Sequence, residues 1–253
     1  MIALFTDFGP ADPYVGQLHG VLIRLAPGVP IVDLFHGVPN FDVHAGAYLL
    51  PAYSAEFPTG TIFLCVVDPG VGTGRRPVMV EADERWYVGP DNGLFHIVVR
   101  RARSSQCHLI TSLPLRLTAS FHGRDLFAPV AAQIARGERP ASEPTTLTPP
   151  PGPDWPNDLA RVLYIDHYGN AVTGVRATQL GRDAFVNVGN REIHYIRVFG
   201  EAPPGQPFWY ENANGLVEIA VNQGRADKTL GLTIGLPLEI PGFPALASAA
   251  QPT

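Results

Sequence analysis

The sequence predicts a mixed α/β chain in two parts: a larger N-terminal part with a parallel-rich sheet covered on both faces, then a small antiparallel β-barrel. Three observations carry this. Strand-like and helix-like runs alternate over roughly the first 145 residues. Residues 139–158 (RPASEPTTLTPPPGPDWPND) are Pro-rich and aperiodic, the texture of a semi-rigid linker. Beyond them, short strand-like runs recur with turn signals every 8–12 residues or so and little helix.

The elements follow in order. Ile2–Thr6, Ile31–Phe35, Thr61–Val67 and Val78–Glu81 are short β-branched or aromatic runs bounded by Gly, Pro or Asp. A helix lies between the first two, with Asp12 as N-cap and Pro13 as its first residue. Its apolar face is Val15, Leu18, Leu22 and Leu25, and Gly28 ends it. A second helix starts near Asp42, with Pro51 kinking or breaking it. A third covers about Gly93–Arg101 and a fourth Arg124–Arg136, stopping at Gly137. After the linker the strand-like runs are Val162–Asp166, Ala171–Val175, Phe185–Val188, Ile193–Val198, Leu216–Val221 and Leu230–Ile240. The chain therefore divides into residues 1–145, a linker at 146–158, residues 159–245, and a loose tail at 246–253.

Composition excludes several functions. A formal charge of −5 and the absence of a Lys/Arg run argue against a nucleic-acid binder. The two cysteines, Cys65 and Cys107, lie in apolar strand-like runs; they are too few for a disulfide framework or a Cys-based zinc site. No basic region precedes the first strand, and no apolar stretch reaches the ~18 residues of a membrane span, so a cytoplasmic chain without membrane attachment is expected. Lys228 is the only lysine, and its surroundings fit no phosphate-binding or Schiff-base motif. DFG (7–9) and HGRD (122–125) look like kinase fragments, but their order is reversed and the lysine is missing. GVGTG (70–74) is followed by a strand, where a dinucleotide loop needs a helix N-terminus.

Other polar clusters are more informative. Asp7 and Asp68 each follow a strand-like run beside a Gly-rich turn, where parallel sheets bind ligands; each is also a plain loop cap on its own. Asp68 and Arg75 bracket three glycines and can pair across them, as a structural ion pair or as part of a site. His122 opens a helix, a position that by itself reads as capping or packing. Asp166-His167-Tyr168-Gly169-Asn170 reads equally as a β-turn and as a purine grip, with stacking on Tyr168 and hydrogen bonds from Asn170.

Taken together, residues 6–22, 66–78, 89–95, 120–132, 165–174 and 212–224 resemble the S-adenosyl-L-methionine (SAM) hydroxide adenosyltransferases, relatives of the SAM-dependent fluorinase and chlorinase. The blocks run in the family's order from near residue 1 to about 240. The resemblance implies a Rossmann-like α/β/α domain followed by a β-barrel. It implies a homotrimer whose active sites lie where one subunit's N-terminal domain meets a neighbour's C-terminal domain.

By motif position, the family's catalytic Asp-Arg-His set falls on Asp68, Arg75 and His122. Asp7 matches the acid that binds the ribose hydroxyls, Tyr168 the ring that stacks on adenine, and Asn170 the amide that reads the base. Phe199 corresponds to the opposing aromatic, and Asp166 to the acid that takes the methionine ammonium. Ala213 and Asn214 match the methionine end, and Val221 and Gln223 match backbone contacts to adenine. Ala213 departs from the serine of the halogenases, which removes a hydroxyl contact to the amino-acid carboxylate.

The implied reaction is hydrolysis of SAM to adenosine and L-methionine. Water attacks C5′ with inversion, and no metal or organic cofactor takes part. On this expectation Arg75 stabilises the hydroxide, Asp68 orients it, and His122 accepts or relays the proton. The alternatives are a SAM- or adenosine-binding sensor without turnover, and a halogenase using chloride.

Overall fold

Every residue from Ile2 to Thr6 is buried, because this strand (β1) lies inside a sheet whose two faces are both covered. The computed structural model describes residues 1–150, 152 and 155–243. The tail expected at 246–253 lies outside the described residues, as does part of the linker expected at 146–158. Two units pack within themselves, Met1–Trp155 and a second from Pro156 on.

In the first unit, β1 is followed by α1 (Pro13–Leu25), β2 (Ile31–Phe35), α2 (Val43–Ser54), β3 (Ile62–Val66), β4 (Pro77–Ala82) and β5 (Arg85–Pro90). Then come α3 (His96–Arg101), β6 (Ser105–Ile110), a π-helical turn at Gly123–Phe127, α4 (Ala128–Ala135) and β7 (Ser142–Thr145). They form one seven-stranded sheet in the order β2-β1-β3-β5-β4-β6-β7. β1, β2, β3 and β5 run parallel, whereas β4, β6 and β7 pair antiparallel, so only half of the sheet has the expected parallel character. β4 and β5 turn back directly at Asp83 and Glu84, both at positive φ; a two-residue connection cannot make a parallel crossover. One face of the core gathers Ile2, Leu4, Leu18, Leu22, Leu64 and Phe127.

Several local expectations change. α1 begins at Pro13 but stops at Leu25, capped by the Ala26 N–H donating to the Leu22 carbonyl, before Gly28 is reached. α2 runs on through Pro51. The lost hydrogen bond and ring clash cost about 3 kcal/mol, and burial of Ala45–Leu50 around it offsets that. α3 begins only at His96. β7 forms within the stretch read as linker; an edge strand tolerates Pro144 because one side of its ladder has no partner.

The second unit contains β8 (Leu159–Ile165), β9 (Ala171–Arg176), β10 (Phe185–Val188), β11 (Arg191–His194), β12 (Pro207–Glu211), β13 (Leu216–Val221) and α5 (Ala226–Leu230). β12-β13-β9-β8 make a four-stranded antiparallel sheet, and β10-β11 a separate hairpin. Alternation along β13 sends Val217, Ile219 and Val221 into the main core of this unit, while Ala220 packs with Phe208 and Ala202 on the other face. Leu230–Ile240 is not a strand. Its backbone makes only isolated bridges, at Pro237 and Glu239, because α5 and the Gly231 and Gly235 turns interrupt the apolar run.

Candidate active site

β1 and β3 are parallel neighbours, with Thr6 paired to Val66, so Asp7 and Asp68 leave the sheet together at its carboxyl edge. The Asp7 carboxylate accepts the Phe41 N–H at 2.9 Å. Burial pushes the Asp7 carboxyl up, the Phe41 bond works against this, and the charge of Asp68 adds to the rise. Phe41 offers its N–H from a left-handed backbone, φ 65°, which is rare for a bulky residue.

After Asp68 the chain makes two tight turns, Val71 N–H to the Asp68 carbonyl and Thr73 N–H to the Gly70 carbonyl. Gly72 sits at φ 79°, and a Cβ there would stand 2.4 Å from the Ala119 carbonyl oxygen. The loop therefore lies directly against the segment that leads into His122.

Arg75 closes the loop. Its Nε is 2.9 Å from both Asp68 carboxylate oxygens, and its Nη2 bonds Oδ2 as well. Nη2 also donates to His122 Nδ1 at 2.9 Å, and the guanidinium lies over the Phe127 ring at 5.1 Å. The side chains of Arg75 and Asp68 are only 9% and 4% exposed. A guanidinium only donates, so Nδ1 of His122 accepts and the imidazole proton sits on Nε2. Burial and then the Arg75 charge hold the imidazole below its usual pKa, with Asp68 and Asp125 opposing.

His122 directly precedes the π-helical turn, a local widening often found at functional sites. Asp125 anchors this turn, taking the Thr118 N–H and hydroxyl and the Arg124 Nε. The bond from Arg124, and then those from Thr118, keep its carboxyl far below the usual range despite burial. A cavity of about 440 Å³ opens between these elements, with Asp7, Asp68, Val71 and His122 on its wall. Arg75 stands behind Asp68 and His122 and is not on the wall.

Sequence reasoning missed Phe8, Tyr14 and Phe41, which also line this cavity. Phe8 and Tyr14 form an aromatic cluster with Phe121, ring centroids 5.4–5.7 Å apart. The first two fall inside one of the family-like blocks; nothing in the local pattern marks Phe41.

The second unit carries its own cavity, about 650 Å³. Asp166, Tyr168, Asn170, Phe199, Val221 and Gln223 all line it, together with Tyr210, which sequence reasoning missed. Asp166 accepts the Asn170 N–H at 2.8 Å and its side-chain amide at 3.0 Å. Gly169 supplies the positive φ of this turn, 88°, and Asn170 does not share it. Tyr168 projects, 73% exposed. Ala213 and Asn214 are not on the wall: they sit on an exposed turn tied down by the Asn212 oxygen, which accepts the N–H groups of Asn214 and Leu216 at 3.0 Å each.

Residues 2–143 match the N-terminal domain and residues 160–239 the C-terminal domain of the SAM hydroxide adenosyltransferases. The chain belongs to this family. It is 40% identical, over 94% of its length and 98% of the relative's, to the (R)-S-adenosyl-L-methionine hydrolase of Thermus thermophilus. It is 39% identical to the enzyme of the same name from Salinispora arenicola, over 94% and 97% of the two chains. A fluorinase from Actinopolyspora mzabensis is more distant, 26% identical over 95% of this chain and 96% of its own. Among solved structures, an uncharacterized conserved protein from Thermotoga maritima superposes with a TM-score of 0.86 at 29% identity, covering 95% of this chain and all of its own.

Chemically, the first cavity offers a carboxylate and a neutral imidazole N–H around one volume, locked from behind by a guanidinium. Such a set can hold one water by accepting from it and donating to it. Among the described residues, no group of three or more His, Cys, Asp or Glu side chains is arranged for a metal ion, and no helix is long and apolar enough to cross a membrane.

Proposed function

We propose that this protein hydrolyses SAM to adenosine and L-methionine, with water attacking C5′ in line with the C5′–S bond. The observation that carries the reading is the linked Asp68–Arg75–His122 set, with its acid and imidazole on a cavity wall. The attacking water donates one hydrogen to Asp68 and accepts from His122 Nε2–H. As the C–O bond forms, the C5′–S pair goes to sulfur, methionine leaves as a neutral thioether, and the proton passes to Asp68 and then to solvent. Sulfonium needs no general acid, so positioning is the main requirement, worth about 7–11 kcal/mol in ideal cases. On this reading His122, with Nδ1 engaged by Arg75, acts as a donor and Asp68 as the base.

Asp7 holds the ribose hydroxyls. Tyr168 and Phe199 enclose adenine, Asn170, Val221 and Gln223 read its edge, and Asp166 takes the ammonium, with Ala213 and Asn214 at the methionine end. On the resemblance, the sheet of the first unit is Rossmann-like and the second unit is a small barrel. The enzyme is a cytoplasmic homotrimer without cofactor, and one subunit's first cavity meets a neighbour's second.

The names of four relatives specify the R epimer of SAM. Both epimers yield the same products, because sulfur loses its stereochemistry as the thioether forms. The test is therefore incubation with each resolved epimer, following depletion and adenosine by chromatography, with chloride and fluoride in competition. Adenosine from the R epimer supports the reading. Unchanged SAM leaves a sensor, and a 5′-halogenated nucleoside a halogenase.

A further inference from the structure

Glu218 is a buried carboxylate to which the reaction assigns no role. It lies on β13, 5% exposed, on the sheet face that carries Ala220, Phe208 and Phe199 instead of the main core. A charge among apolar neighbours is costly unless it is bonded or matched. Here it is bonded: Oε1 accepts the Tyr210 hydroxyl at 2.6 Å and Oε2 accepts the Asn212 amide at 2.8 Å. Through Tyr210 it holds a wall of the second cavity, and through Asn212 the turn that carries Ala213 and Asn214.

Its charge, however, is unmatched. Neither Glu218 nor Asp166 forms an ion pair among the described residues, and the charge of Asp166 raises the cost of ionising Glu218. Burial is the larger influence on Glu218, and the bonds from Tyr210 and Asn212 oppose it. Arg225 lines the same cavity, but its guanidinium is spent on both oxygens of Asp227. Two carboxylates, Asp166 on the wall and Glu218 behind it, with the Arg225 guanidinium engaged by Asp227, favour a positively charged group in this cavity.

We infer that Glu218 is a positioning residue that backs Asp166 with a second negative charge, so that this cavity prefers a nucleoside carrying an ammonium over one that does not. The inference rests on the assignment of Asp166 to the methionine ammonium, and its test is independent of turnover. Glu218→Gln is isosteric and keeps both bonds, the amide oxygen accepting from Asn212 and the amide N–H donating to the Tyr210 oxygen. S-adenosyl-L-homocysteine carries the ammonium and has no sulfonium to cleave, while adenosine carries neither. Calorimetric titration of the whole protein with both should show the homocysteine adduct binding about tenfold more weakly to the variant, with adenosine within about twofold of wild type.

Equal losses for both ligands would make Glu218 a structural brace only, and no change for either would remove it from the site; each overturns the inference. Glu218→Asp keeps the charge and should keep the preference even where both affinities fall, so a collapsed preference there overturns it too. If SAM yields no adenosine while these titrations behave as expected, the hydrolase reading fails and the role of Glu218 stands.

Discussion

Replacing Arg75 by alanine separates what this residue does for stability from what it does for the reaction. Removing one member of a buried pair leaves a carboxylate without compensation, at a cost of about 3–5 kcal/mol. For a chain of this size that is a fall in Tm of roughly 6–20 °C. Asp68→Asn combined with Arg75→Ala removes the stranded charge and should regain most of the loss in a thermal melt. Turnover should behave differently. Arg75→Ala releases the imidazole from its fixed tautomer, and the double variant removes the acid as well, so kcat should fall about 10²–10⁴-fold in each. KM for SAM should move less than about threefold in Arg75→Ala, because Arg75 is not on the cavity wall. A large KM increase with wild-type kcat would refute the reasoning, as would a double variant no more stable than Arg75→Ala.

Four further outcomes are expected. His122 has a lowered pKa, so it is neutral at pH 7 and protonates only below the usual 6.5; kcat should drop on that acid side as Nδ1 gains a proton facing Arg75, and His122→Gln should lack this limb in a pH–rate profile. Asp7 has a raised pKa, so it protonates sooner as pH falls; KM for SAM should climb there in the wild type, and Asp7→Asn should show about a tenfold higher KM at pH 7 with little pH dependence. Gly72→Ala combines an unfavourable φ with a Cβ against the Ala119 carbonyl and should lose about 2 kcal/mol or more in denaturant titration, together with most activity. Tyr168→Ala should weaken adenosine binding by about 1–3 kcal/mol in calorimetry, whereas Tyr168→Phe should retain it.

The legible features are those set by neighbours in sequence. The strand-helix alternation places Asp7 and Asp68 at strand ends, and the spacing of Asp68 and Arg75 around three glycines announces their pairing. What depends on folded neighbours is not legible. Which imidazole nitrogen carries the proton follows from Arg75 reaching His122 across 47 residues of chain. The antiparallel β4, β6 and β7 escape because hairpin and crossover strands share one local pattern, and SEPT (142–145) has little β-propensity; its pairing comes from the open edge of β6. Glu218 escapes because one acid in an apolar strand reads as an outward-facing position, until Tyr210 and Asn212 are seen to close over it.

The π-helical turn at Gly123–Phe127 amounts to one residue more than a regular helix would use. Each residue of an α-helix advances about 100° around the axis. Deleting one residue there would swing His122 by that angle away from Arg75, or else turn Val130 and Ala131 of α4 out of the core. The surplus residue thus lets a single continuous coil satisfy two orientations that a regular one could not. Shortening this turn is the smallest edit expected to leave the fold recognisable while uncoupling the imidazole from its guanidinium.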